Sequence, residues 1–218
     1  MPENPLLSVS PRAAVILATR NPGKIGELSV LLRPFGLRVL GLSHFPEAGE
    51  TKETGATFAE NALLKAMFAA EATGFVAVAD DSGLEADALG GAPGVFSARY
   101  SAGEASTDAG NVEKLLKEMR AVEAGRRGAR FRCCMAACTP QGDRITAEGT
   151  WEGRIAETAM GENGFGYDPV FLDPETGLTA AQMSVGEKNR RSHRAAAAAG
   201  LLRLWPSFWD RWLRAAAG

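Results

Sequence analysis

The stretch that most limits how this chain can fold is Phe75 to Gly83, F-V-A-V-A-D-D-S-G. Phe75 to Ala79 is a nearly continuous apolar run with β-branched Val76 and Val78, the pattern of a buried strand. Asp80 and Asp81 follow without a spacer, and Ser82-Gly83 predicts a turn. Two carboxylates are therefore expected at the carboxyl end of a buried strand, where open α/β sheets bind ligands. Asp also serves ordinary turns by accepting from nearby backbone N–H groups, so the pair alone reads either way. The segment beyond favours function. Gly83, Gly90, Gly91 and Gly94 with Pro93 constrain a long loop ending in Phe96, Arg99 and Tyr100, and long glycine-bearing loops in compact domains are usually functional. Paired carboxylates supply the oxygen ligands that a hard cation needs.

At 218 residues, 45% hydrophobic and 23% charged, the chain can bury one good core or build two lobes on a shared sheet. Its formal charge of -2 gives no electrostatic footprint for nucleic acid. No run approaches the ~18 apolar residues of a membrane span. Residues 1–12 carry Pro2, Pro5 and Pro11 without a basic segment followed by an apolar one, so they read as a loose tail of a cytoplasmic protein. Cys133, Cys134 and Cys138 cluster in one predicted strand and read as reduced, buried thiols. A zinc site would need a fourth ligand, and neither His44 nor His193 is near in sequence.

Ala13 to Ala18 predicts the first strand, and Thr19-Arg20-Asn21-Pro22-Gly23-Lys24 leads from it into a helix over Ile25 to Leu32. Backbone N–H groups at such a helix start, with the Thr19 hydroxyl, the Asn21 amide and the Lys24 ammonium, suit a phosphate. Thr19 and Ile25 stand where a Walker loop needs glycine and Ser/Thr, so this is not that motif. Leu37 to Leu42 predicts a second strand, and Glu47, Glu50 and Glu53 lie in a polar loop from which one can share a metal with the Asp80-Asp81 pair. Thr57 to Thr73 is the clearest helix, with Thr57 as N-cap, Glu60 completing a capping box and Gly74 just past the end. Asn61 and Lys65 share a face of it, from which Lys65 can reach a phosphate. Strand–loop–helix units of this kind support a mixed or parallel sheet.

Thr107 to Ala124 reads as a scaffold helix, and Ala129 to Thr139 with Arg144 to Trp151 as a hairpin joined at Pro140-Gln141-Gly142-Asp143. Gly161 to Pro174 carries the second concentration of chemistry: Phe165 and Tyr167 offer aromatic faces beside the Asp168 carboxylate, a plausible base pocket or an ordinary glycine turn. Thr179 to Trp205 looks helical with a break around Gly186. Within it Ser192 reads as an N-cap, which puts His193 and Arg194 in a first turn where the helix dipole favours anions. Basic residues placed against that preference point to a ligand. Pro206 interrupts the pattern, and the aromatic stripe of Trp205, Phe208, Trp209 and Trp212 reads as core, with a subunit contact second.

Taken in order, L-A-T-R-N-P-G-K, E-T-G-A-T-F-A-E-N-A-L-L-K-A, A-D-D-S-G-L-E-A-D-A-L-G-G-A-P-G-V-F-S-A-R-Y, G-F-G-Y-D-P-V-F and E-K-N-R-R-S-H-R resemble the inosine/xanthosine triphosphate pyrophosphatase family in its bacterial form. The resemblance runs from about Val15 to Ala199. It implies an α/β fold with a long central mixed sheet and helices on both sides, a single two-lobed domain over residues 13–218, a nucleotide cleft between the lobes, and a homodimer. It implies magnesium-dependent hydrolysis of a non-standard purine nucleoside triphosphate (ITP, dITP or XTP) to the monophosphate and pyrophosphate. In this chain Thr19 to Lys24 would hold the phosphates, Asp81 would be metal ligand and proton acceptor, and Ser82 and Lys188 would touch substrate. Phe165, Gly166, Tyr167 and Asp168 would hold the base, with His193 and Arg194 completing its pocket. Family members usually have two acidic residues before Thr-Gly, whereas this chain has Lys52-Glu53 before Thr54-Gly55. Glu53 is taken as the second metal ligand, with Glu50 in reserve. A pyrophosphatase of the related Maf type and a non-catalytic nucleotide sensor of the same fold are the competing readings.

Overall fold

The computed structural model describes residues 10–19, 21–31, 36–49 and 51–215; Arg20, Glu50, most of the expected tail and the expected end of the first helix lie outside them. The elements are β1 (Ala14–Leu17), α1 (Pro22–Leu31), β2 (Arg38–Gly41), α2 (Phe58–Thr73), β3 (Val76–Ala86), α3 (Asp108–Glu118), β4 (Gly128–Cys138), β5 (Arg144–Ile155), β6 (Phe171–Leu172), α4 (Val185–Arg191) and α5 (His193–Ala215). The strands form a six-stranded sheet in the order β2-β1-β3-β4-β5-β6. β1 pairs in parallel with β2 and β3, and β5 pairs antiparallel with β6, so the α/β sheet is mixed. β4 and β5 are sheet neighbours joined only by residues 139–143, a connection short enough for a hairpin and too short for a crossover.

The chain divides into two compact units. In the first, Met1–Asp81 with Cys134–Glu148 and Ala197–Gly218, Ala14 and Ile16 of β1, Ala77 and Ala79 of β3, and Ala62, Ala66, Ala69 and Ala70 of α2 share one core cluster. The α2 alanines recur at three- and four-residue spacing, so one stripe of small side chains faces that core. The helix is capped at both ends. Thr57 Oγ1 accepts the Glu60 N–H at 3.1 Å, and Gly74 closes the helix at a φ of +72°, which favours glycine. The Glu60 carboxylate reaches back to the Ala56 N–H at 2.6 Å, one residue before the N-cap whose N–H a capping box would use. All three cysteines are buried and free; burial pushes the Cys138 thiol up to about 11, which leaves it unreactive.

The second unit, Ser82–Cys133 with Gly149–Ala196, has an aromatic core. Phe171 lies 4.4 Å from Phe131 and 4.9 Å from Trp151, centroid to centroid, and Leu84, Met119 and Met183 belong to the same cluster. Trp151 Nε1 donates to Asp173 Oδ2 at 2.9 Å, which satisfies the indole inside the core.

Several local expectations give way to packing. β3 does not turn at Ser82-Gly83 but runs through the Asp pair to Ala86. Leu84 and Ala86 are fully buried in the second unit's core, and that burial outweighs the turn preference of Ser-Gly. α1 begins at Pro22 rather than Ile25: proline is pre-organised for a first helical position, and Asn21 Oδ1 accepts the Lys24 N–H at 3.2 Å. α3 ends at Glu118 instead of Ala124, where the buried Arg127 guanidinium donates to the Met119 carbonyl at 2.7 Å, a cation at the helix's negative end. β5 continues past Trp151 to Ile155, whose N–H donates to the Arg127 carbonyl at 2.8 Å. The last helical region breaks at Met183 and Ser184, close before Gly186, and again at Ser192, while Gly186 itself lies inside α4. Pro206 sits within α5 without ending it, because the buried Trp205, Phe208 and Trp212 hold the helix across the hydrogen bond that proline cannot make.

Asp173 also accepts the Glu175 N–H at 2.8 Å and the Thr176 N–H at 3.0 Å. Burial alone would raise its pKa, but these bonds and the one from Trp151 outweigh burial and hold the carboxyl below its ordinary value. Its stabilisation is therefore complete above the unfolded value of about 3.9 and is lost as the pH falls through the folded one. Asp173→Asn is expected to cost about 1–3 kcal/mol at neutral pH and to weaken the fall in stability on acidification, both measured by urea unfolding at neutral and acid pH.

Candidate active site

In the first unit, α2 presents two polar side chains from one face to β3. Lys65 Nζ lies 2.7 Å from Asp81 Oδ1, and Asn61 Nδ2 donates to Asp81 Oδ2 at 3.3 Å. The same ammonium donates to Glu53 Oε1 at 2.9 Å, so one cation bridges two carboxylates. Asn61 Oδ1 in turn accepts the Gly55 N–H at 2.8 Å, which fixes the amide and holds the Glu53-Thr54-Gly55 segment against α2. A Cβ on Gly55 would stand 2.7 Å from Asn61 Oδ1, so this approach needs glycine.

Successive strand residues point to opposite faces, and the two aspartates take partners from different helices. Asp80 Oδ2 pairs with Lys24 Nζ of α1 at 3.0 Å. The turn that delivers Lys24 is shaped by Thr19, whose Oγ1 accepts the Asn21 N–H at 3.2 Å, and Pro22 and Gly23 open the helix. Burial raises the Asp81 carboxyl above the ordinary carboxylate range, and attraction to Lys65 and Lys24 offsets only part of this. Burial alone would lower the Lys65 pKa, but Asp81, Asp80 and Glu53 more than reverse the effect and raise it. Lys65 therefore stays charged, while Asp81 is a stronger proton acceptor than an exposed aspartate.

In the second unit, Asp168 Oδ2 accepts from Lys188 Nζ at 2.6 Å and from the Phe165 N–H at 2.9 Å. The side chains of this pair are only 4% and 6% exposed, so the two charges stabilise each other away from water. Two cations flank the Phe165 ring: Lys188 Nζ stands 4.9 Å from its centroid and the Arg194 guanidinium 5.0 Å. Arg194 Nη2 also donates to Ser82 Oγ at 2.9 Å. His193 stacks on Phe131 with centroids 4.7 Å apart. Ser192 Oγ accepts the Ala195 N–H at 3.2 Å, the N-cap that places His193 and Arg194 in the first turn of α5. Tyr167 is buried and donates its hydroxyl to the Ser97 carbonyl at 2.9 Å, and the Gly166 N–H donates to Asp108 Oδ2 at 2.7 Å; these two bonds tie the Phe165–Asp168 loop down.

The Ham1 family pattern matches residues 15–204. The chain belongs to the Ham1 family. A dITP/XTP pyrophosphatase of Nitratidesulfovibrio vulgaris is 60% identical over an alignment of 204 residues that covers 91% of this chain and 98% of that protein. A dITP/XTP pyrophosphatase of Methylococcus capsulatus is 53% identical over an alignment of 194 residues that covers 87% of this chain and 94% of that protein. The structure of a HAM1 protein from Coxiella burnetii matches with a TM-score of 0.80 at 41% identity, over 88% of this chain and 97% of that one. Phe208, Trp209 and Trp212 lie beyond the Ham1 match.

The structure of this Ham1 chain gathers Lys24, Glu53, Lys65 and Asp81 in one unit, and Ser82, Phe165, Asp168, Lys188 and Arg194 in the other. Sequence reasoning placed Asn61 on the Lys65 face of α2 without giving it the Asp81 contact that the spacing allows. It had no signal for Phe131, the ring beneath His193. Gly164 supports the second group: its φ is +79°, and a Cβ there would overlap the Asp168 carboxylate. Gly164→Ala is expected to destabilise the protein by about 1–3 kcal/mol and to separate Asp168 from Lys188, the first checked by calorimetry and the second by a crystal structure of the variant.

Proposed function

We propose that this Ham1 chain hydrolyses dITP, ITP and XTP to the monophosphate and pyrophosphate, clearing non-standard purines from the nucleotide pool. Relatives that match it over nearly their whole length carry the name dITP/XTP pyrophosphatase. The observation that carries the reading is Asp81: a buried carboxylate of raised proton affinity, aimed by Asn61 and Lys65, with the cations Lys24 and Lys65 close at hand.

Asp81 orients a water and takes its proton as the water attacks the α-phosphorus in line with the departing pyrophosphate. Thr19, Asn21, Pro22, Gly23 and Lys24, at the start of α1, cradle the phosphates, and Arg20 shares that role. Lys24 and Lys65 neutralise charge on the leaving pyrophosphate. Magnesium fits these residues. Glu53 and Asp81 are hard oxygen donors already drawn to one cation, and magnesium is commonly held by one or two carboxylates together with substrate phosphates. Among the described residues no group of three or more His, Cys, Asp or Glu is placed to hold a metal by itself. When bound, the ion supplies charge neutralisation at the phosphate oxygens. Glu53 takes this role from its contact with Lys65, despite Lys52 standing where the family usually has an acid.

The base stacks on Phe165 between the chemistry of Asp168, Lys188, His193 and Arg194. Hypoxanthine and xanthine present an N1–H donor beside an O6 acceptor, which an Asp168 acceptor and an Arg194 donor match. Adenine reverses both, and leaving such buried groups unpaired can discriminate by as much as ~10⁴. The enzyme works as a homodimer in the cytoplasm.

The test is pyrophosphate release from dITP, ITP, XTP, GTP, ATP and TTP, with magnesium and with EDTA. Magnesium-dependent turnover of the first three well above the rest is expected, and a preference for TTP would overturn the reading. Asp81→Asn should lower the rate by about 10³-fold with an unchanged circular dichroism spectrum; retained turnover would remove Asp81 from the role of base.

A further inference from the structure

We infer that Lys65 is an exchange residue: it closes the metal site of the nucleotide-free enzyme and opens it by moving from carboxylate to phosphate. The inference rests on the magnesium reading of Glu53 and Asp81. In the structure the Lys65 ammonium bonds to both of those carboxylates, 2.9 Å from Glu53 Oε1 and 2.7 Å from Asp81 Oδ1. Two acidic groups that would attract a divalent ion thereby share one cation of the chain itself, which offsets part of their charge. A divalent cation using the same oxygens meets the ammonium as a like charge at close range, inside a site where water screens poorly. It must displace Lys65 or bind weakly.

The neighbouring contacts make this a directed exchange. Asn61, a neutral donor, holds Asp81 Oδ2 from α2 at 3.3 Å, so the carboxylate keeps its orientation when Lys65 leaves Oδ1. Lys24 is held in the same way, 3.0 Å from Asp80. Both lysines that suit a phosphate are therefore kept on carboxylates until an anion arrives. A triphosphate offers Lys65 a new partner at the moment the metal needs its old ones. Metal and nucleotide then bind with positive coupling, each relieving the charge that the other would leave unpaired.

The experiment measures metal affinity without nucleotide and independently of turnover. Mn²⁺ binding to the wild-type protein and to Lys65→Met is followed by electron paramagnetic resonance, with circular dichroism to establish that the variant is folded. The variant is expected to bind Mn²⁺ at least about tenfold more tightly, since the competing ammonium is gone. Acylation of Lys65 in the wild-type protein, read by mass spectrometry, is expected to increase when Mg²⁺ is added, and this arm holds even if the variant does not fold. Equal or weaker Mn²⁺ binding by a folded variant, or labelling unchanged at saturating Mg²⁺, overturns the exchange while leaving EDTA-sensitive turnover intact. Absence of Mn²⁺ binding in both proteins together with EDTA-resistant turnover overturns the exchange and the magnesium reading beneath it.

Discussion

The first unit's functional group depends on one interaction, the Lys65 ammonium shared between Glu53 and Asp81. Asp81 lies on a strand whose neighbours Val78 and Ala79 are completely or almost completely buried, where an ionised carboxylate is costly unless paired. The pairing reaches back through the fold. It requires α2 to lie along β3, which the alanine stripe allows, and it requires the Glu53 segment to return close to α2. Gly55 provides that return, because Asn61 takes the Gly55 N–H with one end of its amide and Asp81 with the other. A single helical spacing, Asn61 to Lys65, thus orders a loop, a helix and a strand around one carboxylate.

The residues of this arrangement were largely legible in the sequence, and their geometry only partly. The capping residues Thr57 and Gly74 declared α2, and its four-residue spacing put Asn61 and Lys65 on one face. What misled was Ser82-Gly83. By local preference it is a turn, and reading it so placed Asp80 and Asp81 together at a strand end. In the structure β3 continues, because Leu84 and Ala86 fill the second unit's core. The period of two then sends the aspartates to different partners, Lys24 and Lys65. A turn signal is local, whereas the burial that overrides it depends on Phe131, Trp151 and Phe171, residues far away in sequence. Pro206 failed as a boundary for the same reason, since aromatic burial along α5 outweighs one missing hydrogen bond.

The second unit solves the same problem with a different pair. Asp168 is almost wholly buried and is matched by an equally buried Lys188, so neither charge is left uncompensated. The glycines around it serve geometry: Gly164 lets the backbone pass against the carboxylate, and the Phe165 N–H then adds a second bond to the same oxygen. Tyr167 looked in sequence like a second stacking surface beside Phe165. Its hydroxyl is spent on the Ser97 carbonyl inside the core, which leaves Phe165 as the half-buried ring of the loop.

The placement of Arg194 is the costlier feature. It stands in the first turn of α5, the end of a helix that repels cations, and it is 4% exposed. Ser192 caps that turn and cannot offset a guanidinium charge. Among the contacts that hold Arg194 there are the Phe165 ring and the Ser82 hydroxyl, a quadrupole and a neutral acceptor. Lys188, the other cation beside that ring, shares a buried ion pair with Asp168, so the charge nearest Phe165 is set by two side chains from separate helices.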